Sequence, residues 1–332
     1  MKKPSKPKKP KTPATDQKKK AKKKKYKVRN WKAYNEMLVN RGRLMVHISP
    51  EALEGWVEIR TGEPGHQQQF SDTAIETVLS IQQYFRLPLR AAEGVVSRML
   101  TSLGSTVKAP DYSTLCKRAK TLTVDIRVRE RRSESIHLVV DSSGIKVYGE
   151  GEWKTRQHGI SKRRTWKKIH LGFDADMGDV VAADVTHNDT HDSQVFPNLL
   201  QQVSEKITQV SNDGAYDTHD CYDAIAARGA KAVIPPRKDA KIWIHGNTNA
   251  GKHARDENLR RIRKVGRKQW KIDSGYHRRS HAENGFFRYK TIFGDRVSAR
   301  TNENQRTALL LRVKILNRFT LLGMPESYAV TA

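Results

Sequence analysis

From Ser71 onward apolar residues recur at three- and four-residue steps, and Ala74, Val78, Ile81 and Phe85 predict a helix. Leu87-Pro88-Leu89 interrupts it. Ala91, Val95, Val96, Met99, Leu100 and Leu103 predict a second helix, closed near Gly104. Pro110-Asp111-Tyr112-Ser113 restarts the chain, and Leu115, Ala119 and Leu122 predict a third helix carrying Lys117, Arg118 and Lys120. Upstream, Asn30-Trp31-Lys32-Ala33-Tyr34 reads as a capped helix start and Leu44-Met45-Val46-His47-Ile48 as a strand. Ser49-Pro50-Glu51 opens another helix, and Gly62-Glu63-Pro64-Gly65 is a loop.

Further on the period changes. Ile136-His137-Leu138-Val139-Val140 is an apolar run ending in Asp141, and Ser143-Gly144 allows a turn that pairs Ile145 to Tyr148 back as a hairpin. Ile169 to Phe173 and Val180 to Val185 predict a second hairpin around Met177-Gly178. Asp192 to Ile207 reads as a helix, Gln209 to Asn212 as a short strand, Asp217 to Arg228 as a helix and Ala232-Val233-Ile234 as a strand. Antiparallel strands followed by strands alternating with helices make a mixed α/β sheet. A helix from about Tyr276 and a last one from Glu303 to Leu322 follow; Ala308, Leu311, Ile315 and Phe319 give the last one a core face.

Charge adds a partner to this picture. The 332 residues hold 63 Lys+Arg against 35 Asp+Glu, a formal net charge of +28. Residues 1–30 carry 14 Lys and Arg29 against Asp16, half of that excess. A proline-broken lysine run repels itself and lacks a core, so residues 1–29 are expected to be a disordered tail. Polyanion binding and a solubilising extension both explain it. Residues 236–275 form a basic insertion with 12 Lys+Arg and 4 Asp+Glu. No apolar run reaches the roughly 18 residues of a membrane span. The N-terminus lacks a signal-peptide apolar stretch. Two cysteines, Cys116 and Cys221, suit a reducing, cytoplasmic setting. With this charge, the three-helix segment reads either as a plain packing domain or as a helix-turn-helix module placing its third helix in a major groove.

Candidate chemistry lies late in the chain. On a helix, Tyr276, Arg279, Glu283 and Lys290 fall within about 60° of one another. Arg279 and Glu283 alone would be an ordinary surface pair. With Tyr276 and Lys290 the stripe offers a carboxylate for a metal and cations for phosphates. Asp141 and Asp213 each end an apolar strand; either alone reads as a turn aspartate. Together with Glu283 they form an acidic trio in a basic chain, of the hard oxygen donors Mg²⁺ takes.

Tyr276-x2-Arg279-x3-Glu283-x6-Lys290 resembles the Y-R-E-K signature of bacterial insertion-sequence DDE transposases. Asp141 in Leu138-Val139-Val140-Asp141-Ser142-Ser143-Gly144 and Asp213 in Asn212-Asp213-Gly214-Ala215-Tyr216-Asp217 resemble the family's two aspartates. Asn30-Trp31-x2-Tyr34-Asn35 and Pro110 to Leu115 are also similar to it, and the resemblance spans roughly residues 30–322. It implies an RNase H-like mixed-sheet catalytic core behind an N-terminal helical, helix-turn-helix-like DNA-binding domain. It further implies Mg²⁺ (or Mn²⁺) held by Asp141, Asp213 and Glu283, with Arg279 and Lys290 on DNA near the cut and Tyr276 positioning the element end. The implied activity is cleavage and 3′-OH strand transfer of double-stranded DNA, element ends and target, in a homodimeric synaptic complex associated with the nucleoid. A metal-dependent structure-specific nuclease and a non-catalytic DNA-binding protein are the alternatives.

The expected organisation is a tail (1–29), a helical DNA-binding domain (30–126), a first part of the catalytic core (130–235), the basic insertion (236–275) and a second part (276–323). Trp153, Lys162, Arg163, Arg164 and Trp166, aromatics among cations, are candidates for stacking on bases and holding phosphates; a solvated loop is the plainer reading. Gly246 to Lys252 has phosphate-loop spacing, but His253 stands where Ser or Thr is needed, so no nucleotide cofactor is expected. His187, Asp189, His191 and Asp192 match no zinc spacing and read as a polar loop with Asp189 or Thr190 as helix cap.

Overall fold

A computed structural model describes residues 25–58, 69–128, 135–147, 166–244 and 253–330. Its centre is a five-stranded sheet built from β2 (Ser135–Lys146), β3 (Trp166–Asp174), β4 (Val180–His187), β5 (Lys206–Ser211) and β6 (Lys231–Val233), in the order β4-β3-β2-β5-β6. β2, β3 and β4 pair antiparallel, whereas β2–β5 and β5–β6 are parallel. This mixed order is that of an RNase H-like sheet, as the sequence implied.

Both faces of the sheet are covered, which is why β2 reads as an unbroken apolar run. Leu138 and Val140 face α6 (Asp192–Gln201) and α7 (His219–Ala227), packing with Phe196, Leu199, Tyr222 and Ile225. Val139, Ile145, Leu171 and Phe173 face α10 (Ser280–Phe293) and α11 (Asn302–Leu322), packing with Tyr289, Phe293, Val313 and Phe319. α11 is buried nearly all round because it serves two cores. Leu311 joins Trp56, Ile75, Val78, Leu100 and Leu115 in the helical N-terminal unit.

That unit contains α1 (Trp31–Val46), α2 (Pro50–Glu54), α3 (Asp72–Phe85), α4 (Leu89–Ser102) and α5 (Tyr112–Arg118). Ser71 caps α3 through Ala74 N at 3.2 Å, and Asp111 caps α5 through Ser113 N and Thr114 N at 2.8 and 3.0 Å. The unit is not separate from the core: Thr307 of α11 donates to Ala119 O at 2.7 Å, and Asn304 donates to Cys116 O at 3.1 Å.

Several expectations are corrected here. Leu44 to Val46 belongs to α1, because Met45 on a continuing helix reaches the sheet core; a five-residue apolar run fits either period. Ser143-Gly144 does not turn: β2 runs straight to Lys146, paired with β3 from Leu138↔Asp174 to Lys146↔Trp166. Gly144 is small for packing, since a Cβ there would lie 3.3 Å from the Trp166 ring. The helix from Asp192 stops at Gln201, and β-branched Ile207, Thr208 and Val210 enter β5. Its cap is His191: Nδ1 accepts from Ser193 N, and Gln194 Oε1 accepts from His191 N at 3.1 Å.

The ends of the chain also differ from expectation. β1 (Lys25–Val28) lies within the stretch assigned to the tail and pairs antiparallel with β7 (Ser327–Val330). Asn30, at the start of α1, makes no side-chain cap. Its amide donates to Met324 O at 3.1 Å and accepts from Glu326 N at 2.8 Å, joining the two ends.

Candidate active site

Asp141 and Asp213 are brought together by strand register. Val139 on β2 pairs with Ser211 on the parallel neighbour β5. Two residues further along each chain stand Asp141, still inside β2, and Asp213, just past the end of β5, near enough for the Asp213 charge to act on the Asp141 carboxyl. Alternation puts them on the face covered by α10. Asn212, fully buried, fixes this end of the sheet by accepting from Val140 N at 3.2 Å. Asp141 does not end a strand, as the sequence suggested; it sits inside β2, opposite Leu171.

Gly275 (φ +68°) turns the chain into a 3-10 turn, Tyr276–Arg279, which passes directly into α10. The expected single helix is therefore two pieces, but the stripe survives. Arg279 Nη1 donates to Asp141 Oδ2 at 3.1 Å, and Nη2 donates to Glu283 Oε1. Lys290 lies two turns beyond Glu283, roughly 10 Å along the axis. Tyr276 is half-buried, its ring tilted against Trp270 with Lys271 Nζ 4.9 Å from the centroid.

The electrostatics register the convergence. Burial pushes the Asp141 carboxyl up, Asp213 and Asp192 push further, and Ser142 N and Arg279 pull it back. Burial and the charges of Asp213, Asp141 and Glu283 raise the Tyr276 phenol against the pull of Arg279. Burial works against the Arg279 charge, but Tyr276, Asp141, Glu283 and Asp213 together hold its pKa above the usual value.

Two neighbours were not picked out as site residues in the sequence. Asp192, treated as part of a polar loop, accepts from Ser142 Oγ at 2.9 Å and Lys168 Nζ at 3.0 Å. Tyr216 is fully buried, its hydroxyl has no hydrogen-bond partner among the described residues, and burial with Asp192, Asp141 and Asp213 raises its pKa. Its place three residues after Asp213 was the available signal.

Asp141 and Asp213 offer the oxygen donors a divalent cation takes, and a buried carboxylate of raised pKa gains from one. They fit a metal. Glu283 has the right chemistry but is engaged by Arg279, and no group of three His, Cys, Asp or Glu side chains stands ready for an ion among the described residues.

The basic insertion holds α8 (Ala254–Val265) and α9 (Arg267–Asp273). Trp243 stacks on His219 at 3.6 Å, with Arg255 3.9 Å from its centroid. Asp256 accepts from Trp243 N and Ile244 N at 2.9 and 2.8 Å. The phosphate-loop-like segment, Gly246 to Lys252, lies outside the described residues, as do Trp153, Lys162, Arg163 and Arg164. Trp166 opens β3, with Lys146 Nζ 5.5 Å from its ring centroid.

A groove of about 880 Å³ lies between α3, α4, α5 and the start of α11. Arg86, Arg90, Lys117, Lys120 and Arg300 line it over an apolar floor, with no carboxylate among its lining residues. Lys117 and Lys120 thus stay candidates for DNA contact. Arg118, the third candidate on α5, donates to Phe70 O and Asp72 Oδ1, both at 2.6 Å, and ties α5 to α3.

A mixed sheet with one carboxylate on a strand and another just past the end of its parallel neighbour offers the donors that metal-dependent phosphodiester chemistry uses. Residues 132–318 match the family model described as Transposase DDE domain, and a second model of that description matches residues 39–150. The chain belongs to the transposase DDE domain family: it is a DNA transposase, a divalent-metal-dependent enzyme that cuts DNA and transfers strands. It is also similar to a solved structure, a cryo-EM structure of the piggyBac transposase synaptic complex with hairpin DNA, at 10% identity and TM-score 0.40. That likeness covers 86% of this chain and 74% of the other. Among the described residues no helix is long and apolar enough to cross a membrane.

Proposed function

We propose that this chain is the transposase of an insertion sequence, with Asp141, Asp213 and Glu283 as its catalytic carboxylates. It binds terminal inverted repeats, frees a 3′-OH at each element end and joins it to target DNA. The observation that supports the reading is the convergence of Asp141 on β2 with Asp213 just past β5, and the reach of Arg279, from the turn that also bears Tyr276, to both Asp141 and Glu283 of α10.

Mg²⁺, or Mn²⁺ in its place, would activate the attacking oxygen and stabilise the leaving one when held by these carboxylates. Arg279 and Lys290 offer cations to the phosphates flanking the cut, where charge grows in the transition state. The Tyr276 phenol, held against Trp270, positions the element end. Water attacks first and the released 3′-OH second, each in line at phosphorus, so the protein supplies no covalent nucleophile.

The cationic groove and the outer arginines of α8 support binding of duplex DNA beyond the centre. The working division is a helical DNA-binding unit over 30–126, the core over 130–235 and 276–323, and the insertion over 236–275. Two copies hold two element ends, acting on nucleoid DNA in the cytoplasm.

The test is cleavage and strand transfer on DNA carrying the element ends, with Mg²⁺, in D141N, D213N and E283Q variants. Each is expected to lose activity by at least about 10²–10³-fold, while gel-shift binding of the ends is retained. If two of the three still cut, the assignment is wrong.

A further inference from the structure

One guanidinium occupies two of the three carboxylates. Arg279 holds Asp141 Oδ2 and Glu283 Oε1 at once, while Ser142 N takes Asp141 Oδ1 at 2.9 Å and Ala215 N takes Asp213 Oδ1 at 2.8 Å. In this arrangement the charge a divalent cation would bring is supplied by the protein itself. We propose that Arg279 is a positioning residue that stands in for the metal, spanning Asp141 and Glu283 until a DNA phosphate draws its guanidinium away. The inference rests on the reading of Asp141, Asp213 and Glu283 as metal ligands.

Three observations support it. The side chains differ in exposure: Arg279 and Asp141 are about one-fifth exposed and Glu283 more than half, so the bridge runs from the sheet to the surface. Arg279 is the last residue of the 3-10 turn ahead of α10, and its long side chain can swing toward solvent without moving the helix. A guanidinium also matches a phosphate as well as it matches a carboxylate, through the same paired N–H donors.

The consequence is an exchange. A phosphate that takes Arg279 releases Asp141 and Glu283 together, and the cation then finds its third carboxylate. Binding of DNA and binding of metal therefore strengthen each other by the same factor. A metal that must wait for a minor, bridge-free state binds more weakly by the fraction of that state. Free protein then takes metal poorly until DNA is in place.

The test uses Mn²⁺ alone, titrated into the full-length chain without DNA and followed by the loss of free-Mn²⁺ electron paramagnetic resonance signal, with thermal melting to check folding. R279Q is expected to bind Mn²⁺ at least about tenfold more tightly than the parent. R279K keeps the charge but cannot span both carboxylates, and is expected in between. R278Q removes an equal charge from the neighbouring arginine, which pairs with Asp176 instead, and is expected to leave Mn²⁺ affinity unchanged. E283Q should weaken Mn²⁺ binding in the R279Q chain and change it little where Arg279 is present.

If neither R279Q nor R279K tightens Mn²⁺ binding, while D141N loses it, the inference fails and the metal-ligand reading stands. It fails equally if R278Q tightens binding as much as R279Q does, because bulk charge then explains the effect. If D141N binds Mn²⁺ as well as the parent in the R279Q background, the metal-ligand reading itself falls.

Discussion

Arg255 donates to Asp217 Oδ1 at 2.7 Å with both side chains almost wholly buried, 6% and 3% exposed. The pair joins the first helix of the basic insertion to the loop that follows Asp213, and Arg255 also donates to Lys241 O at 2.7 Å. Removing one partner of such a pair leaves a buried charge and costs about 3–5 kcal/mol. Asp217→Ala should therefore lower the urea midpoint and expose residues 236–275 to limited proteolysis. An unchanged midpoint would mean the insertion is held by its aromatic contacts and by hydrogen bonds such as Asn258 to Ala232 O rather than by this pair.

Arg118 and its neighbours on α5 should separate under mutation. Arg118→Ala removes the tie to Phe70 and Asp72 and should lower the melting temperature without altering the salt dependence of DNA binding. Lys117→Ala and Lys120→Ala should each reduce the slope of log K against log salt by about 1 while sparing stability. Fluorescence-anisotropy titrations at several salt concentrations read this directly. A slope unchanged in both lysine variants rules the groove out as a phosphate-binding surface.

His137 is buried beneath the site, 2.9 Å from Ser211 Oγ. Burial first, then the charge of Arg278, pushes its pKa down to about 4. The unfolded chain binds this proton near pH 6.5 and the folded chain only near pH 4. Its share of stability is thus complete above pH 6.5 and is lost as pH falls from there toward 4, by up to roughly 3 kcal/mol. His170 and His281, also lowered by burial, act in the same direction. Urea melts at pH 7 and pH 5 should show the loss, and His137→Gln should flatten it; parallel pH profiles for parent and variant would contradict the assignment.

Gly285 lies where α10 crosses the sheet, and a Cβ there would overlap the Phe173 ring. Alanine favours a helix interior over glycine by about 1 kcal/mol, but overpacking costs about 1–3. Gly285→Ala is predicted to destabilise on balance and to shift α10 away from β3. Because Glu283 is two residues away, cleavage should fall by more than the fraction unfolded. Cleavage that tracks the folded fraction alone would show that the helix has not moved.

Much of this was legible in the chain. The helices at 72–85 and 89–102, the hairpin of β3 and β4, and the strands leading to Asp213 and Pro235 follow from periodicity and turn residues, which are local signals. Tyr276, Arg279 and Glu283 were legible because helical spacing survives a 3-10 first turn. Short apolar runs misled where tertiary packing chose the period: Met45 stayed helical to reach the core, and Gly144 gave room to a tryptophan rather than a turn. Asp192 was not singled out because its importance lies in which side chains it faces across the fold, and Tyr216 offered only its place three residues after Asp213.

By itself, the sequence determined that this protein combines a strong basic excess with a few well-spaced carboxylates, and where most of its longer helices lie. Composition and periodicity need no knowledge of distant neighbours. Only the tertiary structure decided that β2 and β5 lie side by side in a register that sets Asp141 beside Asp213. It also decided that Arg279 reaches back to Asp141, that Arg118 serves packing and that α11 binds two units into one body. Each of those is a pairing across tens to hundreds of residues, fixed by strand order and by the burial of opposite sheet faces rather than by local pattern.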